Sequence, residues 1–273
     1  MKPSRIFRNL FLMLQIAKYV PLFFFRRIML KVSKNRKFNL IIVDMDGTLT
    51  RLHTFKQALE ISFSRKGGEV YQDIIYTTKN ENNPFTTDNF RMLNGLNALV
   101  KGKFNISSER KLCNIALKQV NKKLADCLKD KKSKEVIIIS RSSALVANYL
   151  AKKLGLSGGY GSVMEYDKQG DVKGAKILVT DKEANWNDKG LFKTKISIAR
   201  DHMKSKKKPF GPKETILVSN DILDINTMAK VGLSVILKEN NSDFINQLCY
   251  KLGLFDILIK DDYRRLRELL KTN

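Results

Sequence analysis

The feature that most constrains this chain is Leu40-Ile41-Ile42-Val43 running directly into Asp44-Met45-Asp46-Gly47-Thr48-Leu49. Four consecutive apolar residues, three of them β-branched, read as a strand buried on both faces. In extended chain, residues i and i+2 point the same way, so Asp44 and Asp46 can converge on one pocket. That pocket lies beyond the carboxyl end of the strand, where open α/β sheets bind ligands. Gly47 lets the backbone turn closely past a ligand. Two carboxylates held so near each other repel unless a cation or a shared proton intervenes. Mg²⁺ suits the position, because it prefers the hard oxygens of carboxylate and phosphate.

The rest of the chain supplies a sheet for that strand to join. Val136–Ile139 gives a second buried strand and precedes a helix around 144–154. A hairpin pattern over 161–166 and 172–178 surrounds the Gly170-Asp171 turn. A helix is expected near 191–203, a strand at 216–218, a helix over 223–231 and a strand at 233–237. A short strand at 257–259 and a helix over 262–270 close the pattern. Residues 51–135 are polar and mainly helical, with helices expected near 54–66, 86–101 and 108–129. Strands alternating with helices predict an α/β fold with a parallel sheet. The hydrophobic share, 43% of 273 residues, is enough for a packed core and excludes a disordered chain. Cys113, Cys127 and Cys249 stand in no ligand-like spacing, which excludes a disulfide framework or zinc site and points to a reducing, cytoplasmic setting.

Asp-x-Asp-Gly-Thr-Leu after a hydrophobic strand resembles the first motif of the haloacid dehalogenase superfamily, in its phosphatase branch. The hairpin resembles the phosphoserine-phosphatase-like branch. The resemblance implies a Rossmann-like parallel core over 39–50 and 136–273, with a helical cap over 51–135 inserted between the first and second motifs. Ser140, ending the second strand, matches the second motif and would bind a phosphoryl oxygen, with backbone N–H groups around Gly47 and Thr48. Lys189, followed by Gly190, fits the third motif best, with Lys193 as its rival. Ser219-Asn220-Asp221-Ile222-Leu223-Asp224 occupies the fourth, where the family's usual spacing puts an aspartate at the place of Asn220 and its partner at Asp224. Either Asn220 serves a metal with its neutral carbonyl oxygen, or Asp221 does so through a change of register. The implied Mg²⁺ ligands are Asp44, the backbone carbonyl of Asp46, and residues among Asn220, Asp221 and Asp224.

The chemistry expected of these residue types is phosphate monoester hydrolysis. Asp44 would attack phosphorus and form an aspartyl-phosphate. Asp46 would protonate the leaving alkoxide and then deprotonate the attacking water. Mg²⁺ and the motif lysine would offset repulsion between anions. Phosphoserine-specific relatives place a glutamate shortly after the nucleophile, whereas this chain reads Thr50-Arg51-Leu52-His53-Thr54 there. That disfavours an amino-acid phosphate, and Arg51 and His53 would suit an anionic leaving group. A phosphotransferase that passes the group to an alcohol uses the same residues.

Charge enters last. Lys and Arg number 51 against 27 Asp and Glu, a formal +24, which favours anionic partners. Residues 1–40 hold ten basic residues and no acidic one, interleaved with an apolar stretch from Leu10 to Phe25. Interrupted by Lys18 and Pro21, that stretch reads as an amphipathic helix on an anionic membrane surface, over residues 1–38. A terminal helix packed on the core and a membrane span are the other readings. Together with the core, the segment points to a phosphorylated small molecule or lipid as substrate, at the inner face of the cell membrane. Nucleic acid is disfavoured, because the lysines are dispersed and no aromatic-rich surface accompanies them. A non-catalytic basic module with a decayed phosphatase core is the alternative that Asn220 would favour.

Overall fold

The computed structural model describes residues 21, 37–77, 87–129, 134–181, 190–220, 224–238, 256–260 and 263–271. Nearly all of the basic segment over 1–38, together with Lys189, Asp221 and Cys249, lies outside them. Among the described residues no helix is long and apolar enough to cross a membrane.

Eight strands form one sheet: β1 (Leu40–Val43), β2 (Glu135–Ser143), β3 (Gly158–Tyr166), β4 (Val172–Thr180), β5 (Phe192–Thr194), β6 (Thr215–Ser219), β7 (Leu233–Lys238) and β8 (Ile257–Lys260). Their order is β5-β4-β3-β2-β1-β6-β7-β8. All neighbouring pairs are parallel except the β3–β4 hairpin, which is antiparallel. The chain moves outward from β1 through β2 and β3, then returns to the other side of β1 with β6. The order therefore reverses at β1, and the carboxyl ends of β2, β1 and β6 diverge around a crevice.

β1 shows why this order needs apolar runs. Leu40, Ile41, Ile42 and Val43 are all completely buried. Ile41 and Val43 belong to one hydrophobic cluster, with Val136, Ile138, Ile216 and Val218. Leu40 and Ile42 belong to the other, with Ile137, Ile139, Leu217 and helix residues Ile196, Ala199 and Met228. A central strand covered on both faces leaves no position for a polar residue before Asp44.

Between β1 and β2 stand helices α1 (Thr54–Phe63), α2 (Gly67–Thr77), α3 (Thr87–Lys101), α4 (Ile106–Lys118) and α5 (Lys122–Lys129). After β2 come α6 (Ala144–Lys153), α7 (Lys195–Ser205), α8 (Ile225–Lys230) and α9 (Arg264–Lys271). Two expectations need correction. The single helix expected over 108–129 is two, broken where the Gln119 carbonyl accepts from Arg51 N–H and Asn121 N–H donates to the Leu49 carbonyl. Asn121 then caps α5 by accepting from Leu124 N–H. Helix α2 lies between the helices expected near 54–66 and 86–101, and it starts at the Gly67-Gly68 pair, a residue type that disfavours helix. The helix expected from Leu191 begins only at Lys195, since residues 192–194 pair with β4 as a strand.

Candidate active site

Three strands deliver the polar residues to one edge. Val43 pairs with Ile138 on one side and Val218 on the other, so the chain just past each residue emerges at the same level. Asp44 N–H still donates to the Val218 carbonyl at 2.9 Å, which fixes the first carboxylate against β6. Gly47 then takes a left-handed conformation, φ +73°, and a Cβ there would lie 2.2 Å from Asn220 Nδ2. Only glycine both adopts that turn readily and lets the β6 loop approach it so closely.

At the centre lies the ammonium of Lys195, with the residue 0% exposed. Its Nζ donates to Asp44 Oδ1 at 2.6 Å and to Asp224 Oδ2 at 2.7 Å. Asp224 is further held by the Ser219 hydroxyl at 2.7 Å, on the same oxygen, and by Arg141 Nη2 at 3.1 Å on the other. On its other side, the Thr48 hydroxyl lies 3.4 Å from Asp44 Oδ2 and 3.0 Å from Asn220 Oδ1. Asp46 accepts from the hydroxyls of Thr54 and Ser142, one on each carboxylate oxygen. Ser140 is buried and its Oγ accepts from Ser142 N–H at 3.0 Å. Asp181 accepts from Asn226 N–H and from the N–H and hydroxyl of Thr227, so it fixes the start of α8 directly after Asp224.

Burial governs the charges. It lifts the Asp44 carboxyl to about 6, against the pull of the Lys195 ammonium and with a push from Asp224. Burial raises Asp46 as well, although the hydroxyls of Ser142 and Thr54 favour its ionised form. The same desolvation acts on Asp224, yet Lys195 and Arg141 hold it below the ordinary carboxylate range. Burial disfavours the charge on Lys195, but Asp224 and Asp44 keep it above the value of a free lysine. Asp181 is raised to about 6, by burial first and then by Asp224. The site thus holds an ionised Lys195–Asp224 pair beside the Asp44 and Asp46 carboxyls, whose protonated forms burial favours.

The structure brings together Asp44, Asp46, Gly47, Thr48, Ser140, Asn220 and Asp224, with a lysine that the sequence reading did not name. Lys189 lies outside the described residues, and its rival Lys193 pairs with the exposed Asp201 on the surface at 2.8 Å. Among the described residues, the lysine at the site is Lys195. The sequence signal for it was Thr194, which caps α7 by accepting from Ser197 N–H at 3.1 Å and so puts Lys195 at the first helical position. Asp224, expected as a metal ligand, has both oxygens taken by Lys195, Ser219 and Arg141 and serves as the lysine's counter-ion. Sequence reasoning also missed Arg141, Ser142 and Thr54. The first two follow Ser140 in a strand that runs on to Ser143, further than its apolar core suggested.

The oxygens that could hold a hard cation are the Asp44 carboxylate, the Asp46 carbonyl and Asn220 Oδ1. Asp44 and Asn220 share the Thr48 hydroxyl, so both face one spot, and all three donors are oxygen. With a single formal negative charge, the set suits a Mg²⁺ ion that keeps several waters. Among the described residues no group of three His, Cys, Asp or Glu side chains forms a closed metal site.

Replacing Lys195 by Met leaves two buried carboxylates without their cation. The expected cost is about 3–5 kcal/mol of folding stability, whereas Lys193→Met is expected to cost no more than about 0.5 kcal/mol. Urea denaturation midpoints of the two variants provide the check.

No protein-family model and no curated protein matches the chain. Solved structures do match in shape. A phosphoserine phosphatase in its apo form aligns with a TM-score of 0.59 at 19% identity, over 86% of this chain and 98% of that one. A phosphoserine phosphatase solved as a phospho-aspartyl intermediate analogue aligns at 0.56 and 17%, over 86% and 99%. A hydrolase of the haloacid dehalogenase family from Salmonella enterica serovar Typhi gives 0.61 and 14%, over 91% and 80%. The chain has the haloacid dehalogenase fold, in the form found in phosphoserine phosphatases.

Proposed function

We propose that the protein is a Mg²⁺-dependent phosphatase that hydrolyses a phosphate monoester through an aspartyl-phosphate at Asp44. The observation that carries this reading is the Lys195 ammonium clamped between Asp44 and Asp224 at the sheet's switch point, with Asp46 two residues further on. A phosphate monoester resists attack because nucleophile and phosphorus centre are both shielded by negative charge, and a fixed cation offsets that repulsion. Lys195 and Arg141 supply fixed positive charge, and the Ser140 hydroxyl would supply a donor to a phosphoryl oxygen.

In the first step an Asp44 oxygen forms a bond to phosphorus as the bond from phosphorus to the leaving oxygen breaks. Asp46 gives its proton to that leaving oxygen; burial favours its protonated form, and Ser142 and Thr54 hold its carboxyl in position. In the second step Asp46 removes a proton from water, whose oxygen attacks phosphorus and releases the Asp44 carboxylate. Bound Mg²⁺, held by Asp44, the Asp46 carbonyl and Asn220, would neutralise charge on the phosphoryl oxygens. The basic, apolar residues 1–38 would seat the enzyme on an anionic membrane.

Asp44→Asn is expected to lower turnover of p-nitrophenyl phosphate at least about a thousandfold, and chelation of Mg²⁺ is expected to abolish turnover reversibly. A variant that keeps its rate would rule out Asp44 as the nucleophile, and a parent chain without Mg²⁺-dependent turnover would leave a basic module without catalysis. Asn220→Asp adds a charge to the metal's oxygen set. It is expected to lower the Mg²⁺ concentration for half-maximal activity roughly tenfold, about 1.4 kcal/mol of binding. Titration of rate against Mg²⁺ measures it. Deleting residues 1–38 is expected to abolish sedimentation with phosphatidylglycerol vesicles while p-nitrophenyl phosphate turnover persists; equal sedimentation would exclude the anchor.

A further inference from the structure

Above Asp44 and Asp46 opens a cavity of about 260 Å³. Its floor is the polar strand ends already described. Its walls come from the helical insertion between β1 and β2 and are mainly apolar: Phe55, Tyr71, Met92, Leu96 and Leu99 on helices, and Phe104 between α3 and α4. Gly95 belongs to the same wall and touches the Phe55 ring, where a Cβ would lie 2.6 Å from Cζ.

Among the described residues of the inserted helices, one carboxylate, Glu109 on α4, borders the cavity. It is 3% exposed, and its two oxygens already accept from the Ser143 and Tyr166 hydroxyls. Those bonds tie α4 to β2 and β3, so Glu109 braces the inserted helices against the sheet. It is not presented as a receptor for a substrate ammonium. Among the described lining residues, Arg141 is paired with Asp224 on the floor, and His53 is exposed at the cavity's edge. A leaving group in this space therefore meets hydrocarbon and aromatic rings. A zwitterionic or polyhydroxylated group would lose its water there without replacement bonds.

We infer that the substrate is a phosphate monoester of an uncharged, apolar alcohol, whose hydrocarbon body occupies this cavity while its phosphoryl group meets Asp44. The inference rests on the reading of Asp44 as phosphoryl acceptor, and it deepens that reading by naming the leaving group. An apolar wall gains from each methylene it covers, whereas polar recognition gains nothing from chain length.

Binding tests this apart from turnover. Calorimetry of the full chain with Mg²⁺ and a series of alkylphosphonates, ethyl to hexyl, is expected to show roughly threefold to fourfold tighter binding per added methylene. Naphthylphosphonate distinguishes a ring from a linear chain as the preferred body. Met92→Asn and Gly95→Leu, the first adding an amide to the wall and the second filling the space beside Phe55, are each expected to flatten the series. Two independent variants guard against a folding defect in either one. Affinity unchanged from ethyl to hexyl, or tighter binding of the phosphonate analogue of phosphoserine than of hexylphosphonate, overturns the inference. The phosphatase reading fails separately, if Asp44→Asn hydrolyses acetyl phosphate as fast as the parent chain.

Discussion

The site is organised by the need to keep one ammonium ionised inside the protein. Lys195 is fully buried, and burial alone would drive off its proton. Asp44 and Asp224, at 2.6 and 2.7 Å, reverse that preference. Each carboxylate needs its own support: Asp224 has Ser219 and Arg141, and Asp44 has Thr48 and the backbone bond to β6. The network draws on β1, β2, β6 and the first turn of α7, so it exists only when four segments distant in sequence have docked. Buried ion pairs of this kind add little net stability, because desolvation consumes most of the attraction. Such a cluster is better explained by the charge it must later offset than by the fold it holds.

That requirement also explains which parts were legible from sequence. β1, β2, β6 and β7 are parallel strands covered on both faces, and such strands must be continuous apolar runs, which a sequence displays openly. The residues just past β1 and β2 follow from the strands' ends, so Asp44, Asp46 and Ser140 could be placed on one edge. Lys195 was harder. It follows a three-residue strand whose Phe192 continues the apolar spacing of α7, and that continuity hid the cap at Thr194. Lysines are so abundant here that residue type carried no information; only the cap did. Asp224 could be found but not assigned, since its role depends on Arg141 and Lys195, which reach it from other segments.

The inserted helices show a different limit. Their amphipathic spacing was readable, but the direction of each apolar face was not, because a helix may turn it toward its neighbours or toward a cavity. Phe55, Leu96 and Phe104 serve both, packing among α1 to α4 and lining the space above Asp44. The break between α4 and α5 likewise has no local cause. It comes from Arg51 and Asn121, which bond across to Gln119 and Leu49 and tie the end of α4 to the chain leaving the Asp44 turn.

The apolar wall and the charged floor are not independent devices. Interactions among Asp44, Lys195 and a phosphoryl group strengthen as water is excluded, because the effective dielectric falls. A polar leaving group would have to be met by polar side chains or would bring water with it, and either would weaken the field over the floor. Hydrocarbon in the cavity avoids both. A site that accepts an apolar alcohol phosphate therefore gains specificity and electrostatic effect from the same surface. In such a site a charged partner for the leaving group would cost the floor part of its strength. The bonds from Ser143 and Tyr166 to Glu109 fit that constraint: among the described residues of the inserted helices, the carboxylate that borders the cavity holds them in place.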